Sequence, residues 1–177
     1  LSIYATGQQS DILIGDLRVK DPANGDIELV AGDDILRDGP NSPNVVADEL
    51  TLRAGNANAD GPNAIELNTQ VNVLDAVVQG SNEGDLIIDE VDDIVLANLE
   101  SPSDVIVNAN GTVTVEAVQG ENISIIATGQ QSDILVGDLS VNNSADGDIE
   151  LVAGDDILRQ GASSPNVLAD ELTLRAG

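Results

Sequence analysis

The stretch Leu1-Ser-Ile-Tyr-Ala-Thr-Gly-Gln-Gln-Ser-Asp-Ile-Leu-Ile-Gly-Asp16 recurs as Ile123-Ser-Ile-Ile-Ala-Thr-Gly-Gln-Gln-Ser-Asp-Ile-Leu-Val-Gly-Asp138. The match continues without a gap, so that residues 1–55 align with residues 123–177 at an offset of 122, with 43 of the 55 positions identical. Repetition on this scale is typical of extended arrays in which each unit contacts its neighbours. We expect residues 1–122 to form one repeat period and residues 123–177 to begin the next, in one continuous solenoid that is a segment of a larger repetitive protein.

Short segments in which apolar residues alternate with other residues recur along the whole chain. They are Ile27-Glu-Leu29, Leu50-Thr-Leu52, Ile65-Glu-Leu67, Leu86-Ile-Ile88, Val105-Ile-Val107, Ile123-Ser-Ile125 and Ile149-Glu-Leu151. A period of two is typical of a strand that buries one face. Turn-forming residues such as Asp21-Pro-Ala-Asn-Gly25 separate the segments. The spacings close on the 122-residue offset in six steps, which predicts about six turns of about 20 residues in each period.

This pattern predicts an all-β fold, a parallel β-solenoid with two or three short strands in each turn. Each turn would pair with the turns above and below at a spacing of about 4.8 Å, and the inward residues would form aliphatic columns. The alternative is a series of tandem antiparallel β-sandwich domains, which also have short strands and frequent turns. A sandwich usually has longer strands, tight hairpins and aromatic residues in its core, whereas Tyr4 is the only aromatic residue here.

The composition limits the possible partners and sites. The chain has 32 acidic and six basic residues, hence a net charge of −26, and it contains no His, Cys, Met, Phe or Trp. Hydrophobic residues still make up 41%, which is more than a disordered acidic tail would contain. The negative charge excludes nucleic acid as a partner and makes cations necessary counterions. The absence of Cys and His excludes thiolate and imidazole metal sites, and no apolar run approaches the ~18 residues of a membrane span.

Three segments carry a family resemblance. ADELTLRAG (47–55), NAIELNTQVNVLDAVVQG (63–80) and GTVTVEAVQGENISIIATG (111–129) resemble the turns of filamentous-haemagglutinin-type adhesins and other giant repetitive bacterial surface proteins. The resemblance covers most of the chain and lies in period and texture, without an invariant motif. It implies a right-handed parallel β-helix located on the outside of the cell, and it carries over no catalytic residue.

Clusters of carboxylates are the candidate cation ligands. They comprise Asp33, Asp34, Asp48, Glu49, Asp92, Asp93, Asp155 and Asp156. Alignment of the turns places Asp33-Asp34 beside Asp48-Glu49 of the following turn, and it forms a column from Asp34, Glu49, Asn72, Asp93, Thr112, Asp133 and Asp156. Oxygen ligands suit Ca²⁺, and stacked carboxylates repel one another unless they are neutralised. The alternative interpretation is an acidic outer face that is only solvated.

Asp11 and Asp133 belong to a second candidate motif. Thr6–Asp16 and its repeat Thr128–Asp138 are similar to the nonapeptide of calcium-binding β-rolls, G-G-x-G-x-D-x-L-x. Gly7, Asp11 and Leu13 fit this pattern, whereas two of the glycines are replaced and the nonapeptide does not recur in tandem. The resemblance implies that Ca²⁺ is a possible ligand, and we expect no other cofactor.

These observations predict a structural protein and not an enzyme. A catalytic site duplicated every 122 residues along a filament is improbable, and four of the six basic residues recur beside acidic residues, as structural ion pairs would. We expect the repeat segment of an extracellular, cell-surface fibre or surface layer that self-associates by solenoid stacking. In this interpretation cations, Ca²⁺ in particular, screen or bridge the carboxylates. The alternative is the stalk of a large adhesin whose binding domain lies outside this segment.

Overall fold

The computed structural model describes residues 1–40, 42–55, 63–80, 84–161 and 166–177. The described residues form strands and turns without a helix, and therefore contain no helix long and apolar enough to cross a membrane. The strands are β1 (Ser2–Ala5), β2 (Ile12–Ile14), β3 (Leu17–Arg18), β4 (Ile27–Ala31), β5 (Ile35–Arg37), β6 (Val45–Ala54), β7 (Asn63–Val78), β8 (Asp85–Glu90), β9 (Ile94–Glu100), β10 (Val105–Ala109), β11 (Val113–Gly120), β12 (Ile123–Ala127), β13 (Ile134–Val141), β14 (Asp148–Ala153), β15 (Ile157–Arg159), β16 (Val167–Leu168) and β17 (Glu171–Arg175).

The described strand pairs are parallel and follow two ladders. The first ladder contains β1, β4, the second halves of β6 and β7, β9, β11, β13, β15 and β16. The second contains β2, β3, β5, the first halves of β6 and β7, β8, β10, β12, β14 and β17. The chain passes from one ladder to the other in each coil of about 23 residues and completes about 7 turns. The predicted parallel β-solenoid is confirmed, because a sandwich would require antiparallel pairs.

Each turn is longer than the predicted 20 residues for a specific reason. The spacing pattern treats Leu50 and Ile65 as equivalent positions in successive turns. In the structure Leu50 pairs with Leu74 on the first ladder, whereas Ile65 pairs with Ile35 on the second. The 15-residue step from Leu50 to Ile65 is therefore a half turn, and counting it as a full turn shortens the average.

The two copies of the repeat consequently occupy opposite ladders. Five pairings lead along the first ladder from β1 through β4, β6, β7 and β9 to β11. Strand β12, which repeats the sequence of β1, follows half a turn later and pairs with β10 and β14 on the second ladder. The period of 122 residues therefore advances five and a half turns, and successive copies face opposite sides of the solenoid.

Aliphatic side chains stacked in register form the core. One column on the second ladder comprises Ile12, Ile35, Ile65, Leu86, Val105, Ile123 and Ile149, all of which are buried. Burial of such a side chain contributes about 1.5–3 kcal/mol relative to full exposure. The interior between the two ladders is filled without aromatic residues because each turn adds the same narrow layer.

Stacked glycines form an equivalent corner in each copy of the repeat, after strands of the first ladder in the first copy and after strands of the second ladder in the second. A Cβ atom on Gly32 would lie 1.7 Å from the carbonyl oxygen of Gly7, and one on Gly55 would lie 2.2 Å from that of Gly32. The repeat preserves this contact, since a Cβ on Gly154 would lie 1.8 Å from the carbonyl oxygen of Gly129. The backbone of successive turns approaches too closely at this corner for any side chain.

Candidate cation site and acidic surface

Three of the candidate ligands come together where β2 and β5 begin. Carboxylate oxygens of Asp11, Asp33 and Asp34 all lie within 4.8 Å of one another. Asp33 and Asp34 are buried, whereas Asp11 is exposed. Burial of carboxylates beside a third one is costly unless a cation, a proton or hydrogen-bond donors balance the charge. Carboxylate oxygens are ligands of hard cations such as Ca²⁺ and Mg²⁺.

Parallel pairing positions the three aspartates. The amide of Ile12 donates to the carbonyl oxygen of Asp34 at 2.8 Å, and the amide of Asp33 donates to the carbonyl oxygen of Ser10 at 3.2 Å. The amide of Asp34 lies 3.4 Å from Oδ1 of Asp11, at the long end of hydrogen-bond distances. The sequence assigned Asp11 to a separate motif, whereas the structure places it in the same group as Asp33 and Asp34.

The second copy of the repeat has the same backbone contact without the closed group. The amide of Asp156 donates to Oδ1 of Asp133 at 3.0 Å, as Asp34 does to Asp11. Asp155 and Asp156 are exposed, in contrast to the buried Asp33 and Asp34. Strand β5 is paired with both β2 and β7, whereas β15 pairs with β13 alone among the described strands. The following turn is therefore what buries the aspartates in the first copy.

Asp48 and Glu49 lie at a different corner from the Asp11 group. They follow the first half of β6, where the chain passes from the second ladder to the first, whereas Asp34 precedes β5 on the second ladder. Oδ1 of Asp48 accepts a hydrogen bond from Nδ2 of Asn72 at 2.7 Å, and Glu49 is paired with Val73. The predicted position of Asp48-Glu49 beside Asp33-Asp34 is therefore wrong, because the two pairs were aligned across a half turn.

The upper part of the predicted acidic column is present and has a structural role. Asp93, Thr112, Asp133 and Asp156 each precede strands that pair in register. Oδ1 of Asp93 accepts from the amide of Thr112 at 2.7 Å, and Oγ1 of Thr112 accepts from the amide of Asp133 at 3.3 Å. The side chains of Asp93 and Thr112 thus each accept a hydrogen bond from the backbone amide of the equivalent residue in the next turn, just before its strand begins. Asp92 contributes differently, since its Oδ2 accepts from Nε2 of Gln70 at 3.1 Å.

Glu90 is the buried acid that the sequence analysis missed. Its side chain is 3% exposed, and its Oε2 accepts from Oγ1 of Thr69 at 2.8 Å and from the amide of Val71 at 3.1 Å. Its Oε1 accepts from the amide of Val91 at 2.8 Å. Burial raises the pKa of Glu90 to about 7, although the Thr69 hydroxyl and the amides of Val71 and Val91 act in the opposite direction. The alternation of Leu86, Ile88 and Glu90 was the available signal, because it places all three on one face.

Two arginines of the first copy join successive turns through ion pairs. A guanidinium nitrogen of Arg37 lies 2.7 Å from Oε1 of Glu66, and one of Arg53 lies 2.7 Å from Oδ2 of Asp75. Both acidic partners belong to β7, the strand of the following turn. Both arginines thus form ion pairs between turns, but with carboxylates outside the repeated segment and not with the acidic residues that recur beside them in the sequence.

Comparisons with known proteins assign no family to the chain. No protein-family model, no curated protein and no solved structure matches it. The adhesin resemblance therefore stays a prediction.

Proposed function

We propose that this chain is a repeat segment of an extracellular structural protein, a cell-surface fibre or layer, that lengthens by stacking solenoid turns. The observation that carries this proposal is the continuity of the parallel pairing from β1 to β17 across both copies of the repeat. Such a fold places the hydrophobic residues in an axial core and leaves the described acidic side chains other than Asp33, Asp34 and Glu90 at least partly exposed. It provides length and rigidity.

The charge defines the second part of the proposal. About 7 turns at about 4.8 Å give a length of about 34 Å, over which 26 net negative charges amount to about one per 1.3 Å. Duplex DNA has about one charge per 1.7 Å and binds a condensed layer of counterions. Lateral contact between two such rods requires cations that screen or bridge their carboxylates. Ca²⁺ is the cation whose ligand preference the surface matches.

Negative-stain electron microscopy tests the assembly directly. We expect the purified chain to form filaments or sheets in 10 mM Ca²⁺ and to remain as short rods in EDTA. Isolated rods in both conditions would contradict cation-dependent assembly and favour the role of a stalk in a larger adhesin. Equal assembly in 10 mM Mg²⁺ would indicate general screening in place of selective Ca²⁺ binding.

The repeat supplies a matched pair of variants for the Asp11 group. If Ca²⁺ binds there with a Kd on the order of 1 mM, 10 mM Ca²⁺ stabilises the fold by about 1.4 kcal/mol. We expect Asp33→Asn with Asp34→Asn to abolish that shift in Tm, and Asp155→Asn with Asp156→Asn to leave it unchanged, because only the first pair is buried beside the preceding turn's aspartate. A Ca²⁺ shift that survives both double substitutions would exclude this group as the site.

A further inference from the structure

A concavity along the side of the solenoid combines aliphatic and polar side chains. It has a volume of about 270 Å³, and we call it the Asp92 concavity. Its lining includes the aliphatic residues Pro22, Ala23, Val46 and Val71 and the polar residues Gln70, Asn72 and Asp92. These residues come from four successive turns, and Val46 and Gln70 are paired in register between β6 and β7. The concavity therefore opens on the flank of stacked turns.

The polar residues present hydrogen-bond acceptors to the Asp92 concavity. Nε2 of Gln70 donates to Oδ2 of Asp92 at 3.1 Å, and Nδ2 of Asn72 donates to Oδ1 of Asp48 at 2.7 Å. Each amide thus directs its nitrogen to a carboxylate. Among the described residues, no donor is bonded to Oε1 of Gln70 or to Oδ1 of Asn72. A ligand group that donates hydrogen bonds would satisfy these oxygens together with the carboxylate.

The two carboxylates lack a cationic partner within the described part of the chain. The Arg side chains form ion pairs elsewhere, with Asp16, Glu66, Asp75 and Glu150. Asp48 and Asp92 are bonded only to the neutral amides of Asn72 and Gln70. The net charge of −26 also attracts cations to the surface and repels anions. A positively charged donor is therefore favoured over a neutral or an anionic ligand.

The aliphatic part of the lining favours an organic cation over a metal ion. Ca²⁺ takes six to eight oxygen ligands, and the side chains of Pro22, Val46 and Val71 offer none. A primary ammonium group has three donors and no acceptor. When it is carried on a stem of about four carbons, as in Lys, the stem packs on apolar side chains while the charged group stays at a polar position.

We propose that the Asp92 concavity binds a primary ammonium group on an aliphatic stem, the chemistry shared by a Lys side chain of a partner protein and a free diamine. The ammonium group donates to the carboxylate of Asp92 and to the amide oxygens of Gln70 and Asn72. The stem packs against Val46 and Val71. This binding activity goes beyond the proposed structural role, and its test requires neither fibres nor Ca²⁺.

Chemical-shift changes in ¹H–¹⁵N NMR spectra of the 177-residue chain in EDTA test the site. The probes are pentylammonium and Nα-acetyl-lysine methylamide at constant ionic strength. We expect saturable shifts of the amides of Val46, Gln70, Asn72 and Asp92 with a Kd on the order of 1 mM, because a few methylene groups and one solvated charge pair contribute. Ammonium chloride lacks the stem and pentanol lacks the charge, so both should bind more weakly. Equal shifts with ammonium chloride would overturn the proposal.

Three substitutions locate the binding within the molecule. Asp92→Asn should weaken binding by about fivefold. Asp138→Asn removes the same charge at a second concavity of only about 100 Å³, and it should leave the Kd unchanged. Ala23→Leu, at an exposed position of the lining, should weaken binding because the larger side chain fills the space for the stem. Equal weakening by Asp92→Asn and Asp138→Asn would overturn the site, since overall charge would then attract the cation.

Cadaverine distinguishes the two sources of the ammonium group. Tighter binding of this diamine than of Nα-acetyl-lysine methylamide would support a free diamine as the ligand, because its second ammonium group adds a contact with the acidic surface. Equal or tighter binding of the lysine derivative would support a Lys side chain of a partner protein. If none of the amines bound, the site would be excluded, and Ca²⁺-dependent assembly of the rods would remain a separate question.

Discussion

Residues 1–55 and residues 123–177 have nearly the same sequence and different surroundings. The first copy is followed by β7, which pairs with β5 and β6, whereas β15, β16 and β17 are paired only with preceding strands among those described. Contacts with the preceding turn are alike in both copies, as in the glycine corner. Contacts with the following turn exist only in the first. In this solenoid the position of a residue in the stack decides its burial as much as its identity does.

The largest expected difference between the copies concerns the leucines of the core. Leu52→Ala should cost about 4 kcal/mol, because Leu52 is fully buried beneath β7. Leu174→Ala should cost less than about 1 kcal/mol, since half of that side chain already contacts water. Urea unfolding of the two variants measures both values. Equal costs would mean that the end of the chain is covered in solution.

Glu90 lies between the two copies and has no equivalent in either. Its pKa is raised from 4.5 to about 7, so the folded state binds more protons than the unfolded state between these values. Its contribution to stability is complete below pH 4.5 and falls by about 3 kcal/mol as the pH rises to 7, at about 1.4 kcal/mol for each pKa unit.

Unfolding of Glu90→Gln across pH 4.5–7 isolates this effect from the other carboxylates. The variant should lack the part of the pH dependence that Glu90 provides, because its side chain does not titrate. If the free energy of unfolding changed with pH in the same way for the unsubstituted chain and for Glu90→Gln, the pKa of Glu90 would lie in its ordinary range.

The glycine corner should behave alike in both copies. Gly32→Ala and Gly154→Ala would each bring a Cβ within 2 Å of a carbonyl oxygen of the preceding turn, so each should cost about 2 kcal/mol or more. The Tm values of both variants are compared with that of Gly39→Ala, which serves as a control. Gly39 has open space at its Cβ position and a φ of 89°, so that substitution tests backbone strain without a clash. A marked difference between Gly32→Ala and Gly154→Ala would contradict the equivalence of the two corners.

The smallest expected effect concerns the arginine pairs. Arg53→Ala should cost about 0.5 kcal/mol through loss of a partly exposed ion pair with Asp75, and Arg175→Ala should have no measurable effect. A double-mutant cycle with Asp75→Ala measures the first value. A coupling free energy near zero between Arg53 and Asp75 would show that their ion pair does not stabilise the fold.

The alternating triplets were sufficient to predict strands, parallel stacking and an aliphatic core. The half-turn offset was not apparent, because Leu50-Thr-Leu52 and Ile65-Glu-Leu67 look the same although they lie on different ladders. Sequence alone does not distinguish the two faces of a coil when both carry the same pattern. The turn length and the position of Asp48-Glu49 were wrong for this one reason.

The candidate site was predictable only in part. Asp33 and Asp34 were identified from their charge and spacing, but the burial that distinguishes them from Asp155 and Asp156 depends on the turn that follows. Glu90 was not among the predicted ligands, and only its place two residues after Ile88 and four after Leu86 indicated that its side chain points inward. Burial of charge is a property of the stacked structure and is weakly encoded in local composition.

The pairing of β6 with β7 is the most direct test of the half-turn repeat. The chain has no natural Cys, so any disulfide that forms must join the two engineered cysteines. Thr51 and Asp75 are paired across adjacent turns, at a spacing that a disulfide spans. Mild oxidation followed by mass spectrometry should show an intramolecular disulfide in Thr51→Cys/Asp75→Cys and none in Thr51→Cys/Glu66→Cys. A disulfide to position 66 and none to position 75 would mean that the 122-residue period contains six whole turns, and it would contradict the two-ladder arrangement.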